Sequence, residues 1–177
     1  LDGAEEANEE ASRTAPATQI ELLVDAYLPG EYIYDSAQKI EIYKKVAAIR
    51  TLEEASDLAD ELADRFGPIP APVRNLLLVA RLKVYGSMYG IQTISAKGDD
   101  LVLTMGPEQN ERIDGQKMVA FSHRFERKLK LIPGPQIVIH MNRKGLTTEE
   151  ALVVLERFME QYRDVLKETA EGFTKVI

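Results

Sequence analysis

The sequence predicts an α+β fold: a small, mostly antiparallel sheet of two hairpins plus an N-terminal strand, packed with about five helices. Two pairs of β-favouring runs flank tight-turn sequences, at 97–100 and at 133–135. Several amphipathic segments begin at residues that cap helices. The strands cluster along the chain instead of alternating regularly with helices, which argues against a doubly wound parallel sheet.

Each element is predicted from its own local signals. Apolar residues at helical spacing, with caps before them and glycine or proline stops after them, predict five helices at about 36–49, 52–66, 71–89, 114–126 and 148–168. β-favouring runs predict strands at about 20–26, 91–96, 101–105, 128–132 and 136–141. Asp35 or Ser36 caps the first helix, and Thr51 with Glu54 forms a capping box for the second. Thr147 with Glu150, or Thr148 itself, caps the last helix.

Helical spacing also predicts which helix faces are buried. In the first helix the predicted inner face consists of Ile40, Tyr43, Val46 and Ala47. The third helix has the broadest apolar face, so it is predicted to be the central one. In the last helix the apolar stripe continues to Tyr162 and Leu166.

Composition indicates one ordinary globular domain. The chain has 177 residues, of which 45% are hydrophobic and 29% charged. We expect residues 1–18 to be a disordered linker, 19–168 to form the domain and 169–177 to be a frayed tail, because the two ends hold too few large apolar residues. The chain begins at Leu1 and not at Met, which suggests a piece of a larger protein.

Charge and cysteine content narrow the function classes. The formal net charge is −7, so nucleic acid is not the default partner and a protein partner is favoured. The absence of cysteine rules out disulfides and thiolate metal sites and suits a cytoplasmic protein. No apolar run is long enough to predict a membrane span.

The sequence offers no active site. It contains neither a phosphate-binding loop nor a dinucleotide-binding glycine motif. Its two histidines, His123 and His140, have no neighbouring carboxylate in the sequence, so structural roles are favoured over acid–base or metal chemistry. We therefore expect no catalytic residue, no metal and no cofactor in this domain.

Two charged surfaces remain as candidates for binding. The basic cluster of Arg124, Arg127, Lys128 and Lys130, next to His123, lacks the interleaved aromatic residues of a nucleic-acid site, and a solvated face is the favoured interpretation. The more specific candidate is Glu61, Asp64 and Arg65. Their spacing of i, i+3 and i+4 places them together where the second helix ends, beside the rigid Phe66–Pro68 elbow.

Several motifs resemble the C-terminal domain of bacterial transcription-repair coupling factors. The resemblance covers about residues 20–168 and is strongest in the sequences Asp-Ala-Tyr-Leu-Pro (25–29) and Asp-Arg-Phe-Gly-Pro (64–68), supported by those at 32–35 and 39–45. The combination is more specific than either motif alone. The first 18 residues do not match and would correspond to the linker that leaves the motor domain.

The resemblance implies a function that composition alone does not. In that family the whole factor is an ATP- and magnesium-dependent DNA translocase that contacts RNA polymerase and DNA through other domains. Its C-terminal domain docks on a UvrB-like module and masks the surface that UvrA binds. The family's Glu-x-x-Asp-Arg segment matches Glu61, Asp64 and Arg65 here, which makes these three the predicted partner-binding residues. We expect them to be exposed and free of salt bridges within the domain.

Two alternatives from other classes stay open. One is an accessory domain that contacts DNA or RNA polymerase, which the negative charge disfavours. The other is a small acid–base enzyme, which the missing polar constellation disfavours.

Overall fold

In a computed structural model, which describes residues 17–168, five helices pack with one five-stranded sheet. The helices are α1 (Ser36–Ala48), α2 (Leu52–Phe66), α3 (Ala71–Tyr89), α4 (Gly115–Arg124) and α5 (Thr148–Gln161). The strands are β1 (Gln19–Glu21), β2 (Ile91–Lys97), β3 (Asp100–Met105), β4 (Leu129–Ile132) and β5 (Val138–Asn142). The predicted α+β class is confirmed.

The sheet joins the two predicted hairpins into one surface. Its strand order is β1-β2-β3-β5-β4, and every neighbouring pair is antiparallel except β1 with β2. The hairpins meet through β3 and β5, where Asp100 pairs with Asn142 and Thr104 with Val138. Alternate residues of these strands are buried, so the core lies against one face of the sheet.

The domain has two apolar cores, and α3 contributes to both. One core lies between the sheet and the helices α3, α4 and α5, and includes Leu82, Phe121 and Phe158. The other joins α1, α2 and α3, and includes Ile42 and Leu62. The central position predicted for the third helix is therefore confirmed.

The helix caps form as predicted. Asp35 caps α1, and capping boxes begin α2 and α5 at Thr51 and Thr147. The last helix is shorter than predicted, since the chain continues from Tyr162 to Val165 as a 3-10 helix. No helix among residues 17–168 is long and apolar enough to span a membrane.

The inner face predicted for α1 is wrong in part. Ile42 is the fully buried residue of this helix, whereas Ile40 is 56% exposed and Tyr43 is 40% exposed. The Tyr43 hydroxyl instead accepts a hydrogen bond from the Leu28 backbone at 2.8 Å. The reason is that α1 packs against two helices at once, which selects a face rotated from the one with the most apolar residues.

The N-terminal strand is shorter than predicted and starts earlier. The strand ends at Glu21. The Asn75 side-chain amide then donates a hydrogen bond to the Asp25 carbonyl, and the Tyr27 N–H donates one to the Pro72 carbonyl. The chain therefore leaves the sheet to follow the start of α3. Thr18, predicted to lie in the linker, is 2% exposed and belongs to the folded domain. The expected disorder of residues 1–16 and fraying of 169–177 lie outside the described residues.

Candidate docking surface

The three predicted partner-binding residues lie on the last turns of α2, and the end of that helix is held firmly. Gly67 adopts a positive φ of 87° and its N–H bonds to the Ala63 carbonyl. The Tyr32 hydroxyl lies 3.0 Å from the carbonyl oxygens of both Leu62 and Gly67. The elbow predicted after α2 therefore has a fixed geometry.

Two of these residues belong to a four-residue ion-pair network between α1 and α2, which we call the charge cluster. It consists of Glu41 and Lys45 from α1 and Glu61 and Arg65 from α2. Glu61 Oε1 lies 2.6 Å from both Lys45 Nζ and Arg65 NH1. Glu41 Oε1 lies 3.2 Å from Arg65 NH1 and 3.4 Å from Lys45 Nζ. Each carboxylate thus contacts both cations.

The expectation that all three residues are free of intradomain salt bridges is wrong for Glu61 and Arg65. Their side chains are 31% and 33% exposed, and both are engaged in the charge cluster. Asp64 is exposed, and it forms no ion pair with any residue between 17 and 168. The i, i+4 pair of Glu61 and Arg65 was readable from the sequence. The partners Glu41 and Lys45 were not, because only tertiary packing brings α1 beside α2.

The charge cluster shifts the pKa of every member toward the ionised form. Hydrogen bonds from Lys45 and then Arg65 lower the pKa of Glu61, and bonds from Arg65 and then Lys45 lower that of Glu41. The bond to Glu61 is the main reason that the pKa values of Lys45 and Arg65 are raised. The cluster therefore carries two positive and two negative charges at neutral pH, and Asp64 beside it adds a negative charge.

Exposed apolar side chains occur near the charge cluster along the chain. Tyr34, 94% exposed, stands two residues after Tyr32, whose ring packs against Phe66 with centroids 5.8 Å apart. Ile40, adjacent to Glu41 in α1, is 56% exposed. The guanidinium of Arg65 lies 4.9 Å from the centroid of the Phe66 ring. A charged centre with exposed aromatic and aliphatic neighbours has the composition of a protein-docking surface.

Comparison with known proteins identifies the family. The model of the TRCF domain matches residues 22–116, which include α1, α2, α3 and the first hairpin. The chain belongs to the TRCF domain family. The resemblance inferred from the sequence motifs is therefore confirmed.

Relatives of the TRCF domain have a consistent name. The chain is 35% identical over 153 residues to the transcription-repair-coupling factor of Bacillus subtilis, an alignment that covers 86% of this chain and 13% of that protein. It is 38% identical over 122 residues to the factor of Staphylococcus epidermidis, covering 69% of this chain and 10% of the relative. The chain thus spans only about an eighth or less of the length of these relatives.

A solved structure shares the fold of this TRCF domain. The crystal structure of the C-terminal domain of a transcription-repair coupling factor matches with a TM-score of 0.73 and 24% sequence identity. The match covers 86% of this chain and 97% of that one. The two chains therefore share one architecture over almost the whole solved domain.

The histidines of the TRCF domain lie on other elements than the charge cluster, His123 on α4 and His140 on β5. His140 has no neighbouring carboxylate along the chain, but strand pairing brings Asp100 to it, with Oδ2 lying 3.1 Å from His140 Nδ1. The Asn142 side-chain amide donates a hydrogen bond to the other carboxylate oxygen of Asp100, at 3.4 Å. This contact joins β3 to β5 and was predictable only from the pairing of the two hairpins. Among residues 17–168 no group of three or more metal-ligating side chains converges.

The basic cluster of the TRCF domain is partly occupied by internal contacts. Arg124 pairs with Asp164 at 2.7 Å, and Arg127 donates to the backbone carbonyls of Asn142 and Lys144. Lys128 and Lys130 are exposed. The two arginines of the cluster are therefore engaged within the domain, although Arg124 is exposed, whereas Lys128 and Lys130 form no ion pair among residues 17–168.

Proposed function

We propose that this chain is a regulatory, protein-binding domain of a transcription-repair coupling factor that acts in transcription-coupled DNA repair. In this proposal it docks on the UvrB-like module of its parent protein and masks the surface that UvrA binds. It has no catalytic step of its own. The parent supplies the ATP- and magnesium-dependent motor, and other domains of the parent contact DNA and RNA polymerase.

The observation that carries the proposal is the arrangement of charges at the end of α2. Asp64 is exposed beside the charge cluster. Its position is fixed by the elbow that follows, which is capped at Gly67 and supported by the packing of Tyr32 against Phe66. Arg65 is held through NH1, so most of its five N–H donors stay available to a partner. Charges that are already positioned lose little side-chain entropy when a partner binds.

The intradomain ion pairs change how this docking contact, which we call the latch, is expected to work. Glu61 forms ion pairs with both Lys45 and Arg65. Its main role in this proposal is therefore to position Arg65, and not to contact the partner directly. Asp64 and Arg65 then provide the contacts that fix register and specificity. Because the docking is intramolecular in the parent, a weak contact is enough to mask a site until a competitor shifts the equilibrium.

UvrA binding by the full-length parent protein tests the proposal. Asp64→Ala should weaken the latch and increase UvrA binding, because loss of one partner of a desolvated charge pair costs about 2–5 kcal/mol. The low end corresponds to roughly a thirtyfold change in the ratio of open to closed molecules. Asp60→Ala is the matched control, since Asp60 is an exposed acid one turn earlier on α2.

Two outcomes would contradict the proposal. The first is unchanged UvrA binding by the Asp64→Ala protein, and the second is an equal increase with Asp60→Ala. If the melting temperature of each isolated variant domain equals that of the unmodified domain, the change acts on docking and not on folding. A salt-dependent gel shift with duplex DNA tests the alternative of a DNA-contacting domain, which predicts tight binding at low salt.

A further inference from the structure

A groove between α1 and α3 lies outside the proposed docking surface. It has a volume of about 580 Å³. Its apolar lining comes from both helices and includes Val46, Leu76, Val79, Ala80 and Val84. Val46, Leu76 and Val79 are only half-buried, so the groove leaves apolar surface for an occupant.

The charged side chains that line the groove are both cationic. Arg50 and Lys83 are exposed, and neither has an ion-pair partner among residues 17–168. The guanidinium of Arg50 is held over the end of α1 by bonds to the carbonyls of Ala47 and Ile49. An apolar floor with a fixed positive rim favours an acidic occupant with small apolar side chains.

The chain itself enters the fold at this groove. Ala17 is one of the lining residues, and Thr18, the next residue, is anchored by a buried hydrogen bond from its hydroxyl to the Ile91 carbonyl at 2.8 Å. The described part of the chain therefore starts at this groove, and residues 1–16 precede it in the sequence. Their sequence has one basic residue, Arg13, and is otherwise composed largely of alanines and five acids, Asp2, Glu5, Glu6, Glu9 and Glu10.

We propose that the acidic segment of residues 1–16 binds in cis in the groove between α1 and α3, with its glutamates paired to Arg50 and Lys83. The attachment at Ala17 gives the segment an effective concentration on the order of millimolar, so a weak individual affinity is enough for occupancy. This inference does not depend on the docking of Asp64 and Arg65.

Paramagnetic relaxation in the full chain tests the inference. The chain has no cysteine, so Ala7→Cys gives a single site for a nitroxide label. The label should broaden the methyl signals of Val79 and Val84 strongly. It should affect Ile132 little, because β4 lies four strand spacings, about 19 Å, from β1 across the sheet.

Charge variants separate specific binding from simple tethering. Lys83→Glu should reduce the broadening of Val79 and Val84, and so should raising the salt from about 0.1 M to 1 M, where the Debye length falls from about 10 Å to about 3 Å. Lys97→Glu is the matched control, because it makes the same charge change on an exposed lysine at the distant end of β2. Adding Glu9→Lys and Glu10→Lys to Lys83→Glu should restore the broadening.

The inference is overturned if Val79 and Val84 broaden no more than Ile132. It is also overturned if Lys83→Glu leaves the broadening unchanged, or if Lys97→Glu lowers it equally. An unaltered melting temperature of each variant shows that the groove itself is intact, and Glu9→Gln with Glu10→Gln repeats the test without touching the folded domain.

Discussion

Thr18 fills the space directly above Gly86. A Cβ atom added to Gly86 would meet three side-chain atoms of Thr18 at less than 3.0 Å. Glycine at this position in α3 is therefore what allows the start of the folded chain to lie against the helix, with the Thr18 hydroxyl bonded to Ile91.

Gly86→Ala should destabilise the domain, because Thr18 and β1 must move to make room. The expected loss is about 1–3 kcal/mol of unfolding free energy, as for other overpacked sites, measured by urea denaturation. Gly115→Ala is the control, since no atom lies within 4 Å of a Cβ added there. Equal stability of the two variants would show that the contact with Gly86 is not a constraint.

The charge cluster should make stability depend on pH below the ordinary glutamate pKa of about 4.3. Because Lys45 and Arg65 lower the pKa values of Glu61 and Glu41, the unfolded state binds protons first as the pH falls. The stabilisation is present above the unfolded pKa and is lost as the pH falls through the lower folded values. Glu61→Gln should therefore give a shallower fall in melting temperature between about pH 5 and pH 2.5. A slope identical to that of the unmodified chain would contradict this.

The ion pair between Arg81 and Glu156 should contribute more to stability than an exposed pair. It joins α3 to α5 by two hydrogen bonds, and the Glu156 side chain is only 16% exposed. Glu156→Ala leaves a partly buried guanidinium without its partner, so we expect a loss of about 1–3 kcal/mol. Glu160→Ala, at an exposed position one turn later on the same helix, should change the unfolding free energy by no more than about 0.5 kcal/mol. Similar losses for both would contradict the assignment.

Phe158 should be among the most sensitive core positions. It is 1% exposed, and its ring lies 5.7 Å from those of both Phe121 and Tyr162. Phe158→Ala should cost about 3–5 kcal/mol, measured by urea denaturation. Val153→Ala, at a 42% exposed site on the same helix, should have a much smaller effect. A loss below about 1 kcal/mol for Phe158→Ala would mean that the aromatic cluster is loosely packed.

Local signals in the sequence predicted most of the elements, because caps and periodicity act within a few residues. Thr51 with Glu54 and Thr147 with Glu150 both formed the expected capping boxes. What the sequence did not predict depends on contacts between distant residues. The inner face of α1 is set by packing against α2 and α3, and β1 is shortened by bonds to the start of α3.

The candidate site was predicted in position but not in environment. Glu61, Asp64 and Arg65 lie together at the end of α2, as the helical spacing indicates. Their role as partner-binding residues stays a prediction. The engagement of Glu61 and Arg65 by Glu41 and Lys45 required knowledge of which helix lies beside α2, and no pattern within either helix provides it.

The two cores meet within adjacent residues of α3. Leu77 belongs to the core shared with α1 and α2, whereas Leu78 belongs to the core under the sheet. Neither half can therefore open without removing packing from the helix that supports the other. Amide hydrogens of α2 and of β3 should accordingly exchange with solvent through the same cooperative opening, at a common free energy. The end of α2 that carries Asp64 should thereby be coupled, through α3, to the integrity of the sheet.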